Sequence, residues 1–170
     1  MGGTMSNILI VDDHSPQRSL IRAIVKLDGH QVSEAGTGSE ALACIAFTPF
    51  DLVILDLVMP EVDGYQVLEQ LRAMPDRDET PVIAMSGADE DVDLLRAAAL
   101  GTLEHLSKPF GYDEMEKSIK RVLNATPEQV IEMRDARAAQ AEAYNTVINL
   151  VDGSKPERRR LFRRARSAHR

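Results

Sequence analysis

Apolar residues along this chain gather into short solid runs, and between the runs their spacing changes to that of a helix. Ile8 to Val11, Val32 to Ala35, Leu52 to Leu55, Val82 to Met85 and Leu103 to Leu106 are runs of strand length. Pro16 to Leu27, Ser39 to Phe47, Tyr65 to Met74, Val92 to Leu100 and Asp113 to Leu123 follow them one for one with helical patterns. A strand with one wet face alternates apolar and polar residues, whereas Ile8 to Val11 and Leu52 to Leu55 are apolar throughout, as strands buried on both faces are. Parallel strands need long crossovers, and the helical segments supply them. The pattern predicts an α/β fold with an open five-stranded parallel sheet, doubly wound by helices on both faces.

Polar residues change the picture where they interrupt the runs. In open sheets of this kind the functional crevice lies beyond the carboxyl ends of the strands, at a switch point in strand order. The first run leads into Asp12-Asp13, the third into Asp56, the fourth into Ser86-Gly87 and the fifth into Ser107-Lys108-Pro109-Phe110. Three carboxylates at one edge repel each other unless a cation neutralises them. Mg²⁺ fits that need, since it takes one or two carboxylates together with waters and phosphate oxygens. One carboxylate oxygen is then left free as a nucleophile, and Lys108 and the Ser86 hydroxyl bring a positive charge and a hydrogen-bond donor for a phosphoryl group. Asp56 is placed to receive phosphate, with Asp12, Asp13, Asp56 and the backbone carbonyl of Val58 as the expected metal set. Pro60 and Gly64 turn the chain away from the site.

These motifs, Ile8-Leu-Ile-Val-Asp12-Asp13, Asp56 with Met59-Pro60 and Asp63-Gly64, Ser86-Gly87 and Lys108-Pro109-Phe110, resemble the receiver domain of bacterial two-component response regulators. The likeness spans residues 6–124. It implies a flavodoxin-like, CheY-like fold, Asp56 as phosphoacceptor, Asp12 and Asp13 as acidic metal-site residues, Ser86 as the switch hydroxyl and Lys108 as the phosphate-contacting lysine. It also implies a histidine kinase or phosphotransfer protein as donor, and Mg²⁺-dependent self-phosphorylation and dephosphorylation as the only chemistry. A phosphohydrolase with an aspartate nucleophile is disfavoured, because it needs a second acid two residues on, where this chain has Val58. The family usually carries Tyr or Phe three residues before the lysine, where this chain has His105. A histidine there can turn inward toward Ser86, and titration near neutral pH would make the switch pH-dependent. The competing reading is a partly exposed surface histidine.

Plainer roles compete for several of these residues. Asp12 or Asp13 can serve as N-cap to the helix near Pro16, a role Ser15 also fits. Ser86-Gly87 taken singly reads as a turn. Glu61 and Asp63 read as solvated turn residues, Asp51 as a charge at the start of a strand, His14 as a solvated neighbour of the acidic pair, and Cys44 as a core filler.

The net charge of −7 is unevenly spread: residues 1–152 hold 12 Lys+Arg against 26 Asp+Glu, and residues 153–170 hold 8 against 1. Between these lies Thr126-Pro127-Glu128, a helix start with a capping threonine and an acidic first turn. A helix of about 25 residues is expected to Val151. Val130, Met133, Arg137, Ala141, Tyr144, Ile148 and Val151 share one face, a thin stripe broken by Arg137. The stripe is suited to the receiver, to a second copy in a homodimer, or to a partner; the apolar run from Tyr144 to Val151 favours a partner or dimer contact. The chain thus reads as a receiver domain over 6–124, a helical extension over 125–152 and a flexible basic tail over 153–170. The tail suits an acidic protein or a nucleic-acid backbone. No run is long enough to cross a membrane and no signal peptide is visible, so a cytoplasmic signalling protein is expected. The segment after Asn124 is short for a winged-helix or AAA+ output domain. The function expected is a phosphorelay response regulator that switches protein contacts, the alternative being a nucleic-acid-binding regulator acting through the tail.

Overall fold

A computed structural model describes residues 5–87 and 91–151, without the side chains of residues 91–94, 140, 144, 145 and 147–151. Five strands, β1 (Asn7–Val11), β2 (Gln31–Ala35), β3 (Leu52–Asp56), β4 (Val82–Gly87) and β5 (Glu104–Lys108), alternate with α1 (Ser15–Leu27), α2 (Gly38–Phe47), α3 (Gly64–Ala73), α4 (Asp91–Ala99) and α5 (Tyr112–Leu123). A sixth helix, α6 (Pro127–Val151), follows. All strand pairs are parallel, in the order β2-β1-β3-β4-β5. The chain steps outward from β1 to β2 and then crosses to the other side of β1, so the switch point lies between β1 and β3.

Two apolar layers hold the sheet. Ile8, Ile10, Ile54 and Met85 meet α1 and α5 through Ile21, Val25, Met115 and Ile119. Leu9, Val11, Val53 and Leu55 meet α2 and α3 through Ala41, Ile45, Val67 and Leu68. Every residue of β3 is buried, so its polar end, Asp56, is carried into the protein by the hydrophobic residues before it. Cys44 packs against the second layer as a partly buried filler.

β4 and β5 extend further than their apolar runs. Ser86 pairs with Ser107 and Gly87 with Lys108, so the backbone groups of these polar residues are satisfied by the ladder rather than by a turn. Ser86-Gly87 is therefore strand. The N-cap of α1 is His14, not Asp12, Asp13 or Ser15, and the Asp12 carboxylate accepts the His14 N–H at 2.8 Å. Asp63 is more than a solvated turn residue: with Gln66 it forms the capping box that starts α3. Glu61 is exposed, at φ 64°. Asp51 joins the starts of two strands, its carboxylate accepting the Asn7 N–H at 2.7 Å and its own N–H donating to the Asn7 carbonyl at 2.9 Å.

α6 begins as its sequence predicts. Thr126 Oγ1 accepts from the Gln129 N–H at 3.3 Å, and Gln129 Oε1 accepts from the Thr126 N–H at 2.8 Å. Its apolar stripe, however, turns inward on its own chain over the first half. Val130 and Met133 pack on the layer containing Leu103, Leu106 and Met115, Ala141 is buried, and the helix lies against α4. Over these residues the stripe meets its own receiver, the first of its three expected contacts, while the side chains of Tyr144, Ile148 and Val151, which motivate the partner or dimer contact, and the basic tail lie outside the described residues.

Candidate functional site

The carboxyl ends of β1, β3, β4 and β5 converge as their polar residues suggest. One carboxylate oxygen from each of Asp12, Asp13 and Asp56 lies within 4.8 Å of the others. Asp12 and Asp56 are buried and Asp13 is exposed, which opens the cluster on one side. Lys108 reaches in from β5, its Nζ donating to Asp56 Oδ2 at 2.5 Å and to Asp12 Oδ2 at 3.3 Å. The Val58 N–H donates to the other oxygen, Asp56 Oδ1, at 3.1 Å. Burial pushes the Asp56 pKa up, and Lys108 and the Val58 N–H act against that push. The Val58 side chain is exposed at the mouth.

Glycine is required just behind Asp56. A Cβ on Gly64 would lie 2.6 Å from Leu57 Cα and still closer to the Asp56 carbonyl oxygen. Only a bare Cα lets α3 start against the backbone that carries Asp56. Arg18 of α1 steadies the opposite wall, donating from Nη1 to the Asp12 carbonyl.

On the other side, β4 and β5 place a second pair. Asp56 pairs with Met85, so Ser86 is the next residue along β4 at the same sheet edge. Ser86 is fully buried, and its Oγ lies 2.8 Å from His105 Nε2. His105 does turn inward, the first of its two sequence readings. Its expected titration near neutral pH is not found: burial, with Arg137 close by, lowers its pKa from 6.5 to about 4, so the ring is neutral at pH 7. His14, beside the acidic pair, is exposed.

Arg137 of α6, the residue that breaks the apolar stripe, reaches the chain just before β5. It stands at an apolar position of the α6 stripe, and its guanidinium reaches back to the Leu103 carbonyl at 3.5 Å. Its Nε is buried without a hydrogen-bond partner, and burial lowers its pKa. A cation at apolar spacing was the available signal, since its neighbours one turn either side, Met133 and Ala141, pack inward.

The doubly wound parallel sheet thus carries an acidic cluster, a lysine and a buried hydroxyl at its switch edge. Residues 8–120 match the response regulator receiver domain family, and the chain belongs to it. Over 119 residues it is 36% identical to the KDP operon transcriptional regulatory protein KdpE of Escherichia coli, covering 70% of this chain and 52% of that protein. It is 32% identical over 118 residues to the transcriptional regulatory protein ResD of Bacillus subtilis, covering 69% and 48%. The chain spans about half the length of these two curated relatives. Among solved structures, the chemotaxis response regulator CheY4 of Vibrio cholerae superposes with a TM-score of 0.67 at 29% identity, covering 71% of this chain and all of that one. The protein is thus a two-component response regulator receiver with an added C-terminal helix, and none of its described helices is long and apolar enough to cross a membrane.

Proposed function

We propose that Asp56 accepts a phosphoryl group from a histidine kinase or phosphotransfer protein, and that the phosphorylated receiver changes its protein contacts. The observation that carries this reading is the Asp56 carboxylate, buried at the switch edge yet bonded to Lys108 at 2.5 Å. An Asp56 oxygen attacks phosphorus, the P–O bond to Asp56 forms, and the bond to the donor breaks with its electron pair leaving on the donor. Lys108 exchanges its carboxylate contacts for a phosphoryl oxygen, and the Ser86 hydroxyl donates to another. The Val58 N–H stays on the acyl oxygen side.

Three carboxylates with one lysine among them leave the cluster negative, a donor set suited to a hard divalent ion. Asp12, Asp13 and Asp56, with the Val58 carbonyl, would hold Mg²⁺, which when bound offsets the charge of the incoming phosphoryl oxygens. Incubation with acetyl phosphate and MgCl₂ should add one phosphoryl group by intact mass. Chelation by EDTA should prevent it, and Asp56→Asn should not gain it. A phosphoryl group on the Asp56→Asn protein overturns the assignment.

The alternative, nucleic-acid binding through residues 153–170, draws on that segment's 8 Lys+Arg against 1 Asp+Glu. Salt-sensitive duplex binding that disappears when these residues are deleted would favour it.

A further inference from the structure

α6 divides its charges between two faces. Its cations turn inward: Arg134 donates to the Glu79 carbonyl at 3.0 Å and Arg137 to the Leu103 carbonyl at 3.5 Å, on the side where Val130, Met133 and Ala141 pack. Its acids turn outward. Glu128, Glu132, Asp135 and Glu142 are all exposed, and their spacing of four, three and seven puts them on one stripe opposite the docked face. Ile131, 56% exposed, stands beside them. Elsewhere on the receiver Glu34, Glu69, Glu104 and Glu116 are paired with arginine or lysine, whereas none of the four α6 acids has an ion pair among the described residues. Like charges three and four residues apart repel on a helix surface, so the stripe destabilises its own helix unless cations come from outside it.

We propose that the outward face of α6 is the docking surface for the basic segment that follows it in the same chain, Lys155 to Arg166. Residues 153–170 hold 8 Lys+Arg against 1 Asp+Glu, and lie outside the described residues. Asp152-Gly153-Ser154, just after α6, is turn chemistry suited to send the chain back along the helix. From Val151 to Glu128 the helix is about 35 Å long at 1.5 Å per residue, and an extended chain covers that distance in about eleven residues. The segment therefore reaches the whole stripe with residues to spare. Its chemistry matches as well as its length: in Arg158-Arg159-Arg160-Leu161-Phe162-Arg163-Arg164 an apolar pair stands between arginines, as Ile131 stands between carboxylates. Arginine suits this face because its fork donates two hydrogen bonds to one carboxylate. Each exposed pair is weak, so the docking is loose and is held by number and by the tether, which keeps the segment at an effective concentration of about 1 mM. While docked, the segment is withheld from nucleic acids and from acidic proteins, and the α6 face is their intramolecular competitor. This docking needs no phosphoryl group on Asp56.

A nitroxide on Ala165→Cys in a Cys44→Ser background, read by the amide spectrum of the ¹⁵N-labelled full chain, tests this. Amide peaks of residues 128–142 should lose roughly half of their intensity at about 0.1 M salt and recover it at about 1 M, where the Debye length is about 3 Å. The loss should be unchanged on dilution, as expected of a contact within one chain. Adding Glu132→Gln, Asp135→Asn and Glu142→Gln, all at exposed positions, should make the loss severalfold smaller, with the amide pattern of residues 52–56 reporting that the fold is intact. An equal loss in the neutralised chain overturns the proposal, as does broadening spread evenly over the receiver, or none at all. Broadening of α6 that fades on dilution assigns the face to the basic segment of a second copy, and overturns docking within one chain.

Discussion

β3 and β5 each run for five residues and each end in a side chain of the site, yet they are built in opposite ways. β3, Leu-Val-Ile-Leu-Asp, is central and buried throughout, whereas β5, Glu-His-Leu-Ser-Lys, is an edge strand with only Leu106 buried. The difference separates chemistry from response. Asp56 stands on a strand that cannot shift without disturbing two core layers, which fixes its carboxylate. His105 and Lys108 stand where side chains can exchange partners without opening the core. On the proposed function, a phosphoryl group on the rigid strand would be felt as a rearrangement at the edge one.

The largest expected effect comes from removing the cation that the edge strand lends to the central ones. Lys108→Met leaves Asp12 and Asp56 buried side by side, and should cost about 3 kcal/mol in urea denaturation without divalent metal. Mg²⁺ should restore at least half of that loss, and stabilise this variant more than it stabilises the wild type. Ser107→Ala, exposed on the same strand, should stay within about 0.5 kcal/mol. Equal losses from the two substitutions would erase the distinction between site and strand.

A smaller loss is expected behind Asp56. Gly64→Ala forces a methyl against the Asp56–Leu57 backbone and should cost about 2 kcal/mol. Gly111→Ala, where nothing lies within 4 Å, should be near neutral by the same denaturation measurement. A tolerated Gly64→Ala would show that the central strand yields more than its packing implies.

His105 is only partly buried, so solvent screening makes the pH dependence on the edge the smallest effect. The His105 pKa falls from 6.5 to about 4 on folding, so between those values the unfolded chain binds the extra proton. Its contribution to stability is present above about pH 6.5 and is lost as pH falls toward 4. Asp56 acts in the opposite sense, because its raised pKa favours the protonated acid in the fold as pH falls. Subtracting the melting curves of His105→Phe from those of the wild type isolates the histidine. The wild type should lose more stability than the variant over that window, and a flat difference would place the ring in solvent.

The same contrast explains what could be read in the sequence. The central strands announce themselves, because burial on both faces demands unbroken apolar runs, and the carboxylates that end them stand out against that background. The family resemblance gave Asp56, Ser86 and Lys108 the same roles that the strand ends suggested, and added a histidine kinase or phosphotransfer protein as donor. Ser86-Gly87 and Ser107-Lys108 could be read as the polar ends of the fourth and fifth strands, although taken singly they look like turn and exit residues until they pair with each other. Capping was misjudged at His14 and Asp63 because local spacing does not say which residue leaves the helical backbone. The ionisation of His105 follows first from its burial and then from the charge of Arg137, 32 residues away in sequence, and neither is visible in the local sequence. The direction in which the α6 stripe faces is likewise a tertiary fact, one its first half settles by packing on α4 and the core.

Localising the acyl phosphate tests the central claim most directly. After acetyl phosphate and MgCl₂, borohydride reduction converts a phosphorylated aspartate to homoserine, which tandem mass spectrometry places to the residue. Homoserine should be found at Asp56 and at no other position. Homoserine at Asp12 or Asp13, or a phosphoryl group that survives borohydride on another side chain, would contradict the assignment of Asp56 as the nucleophile.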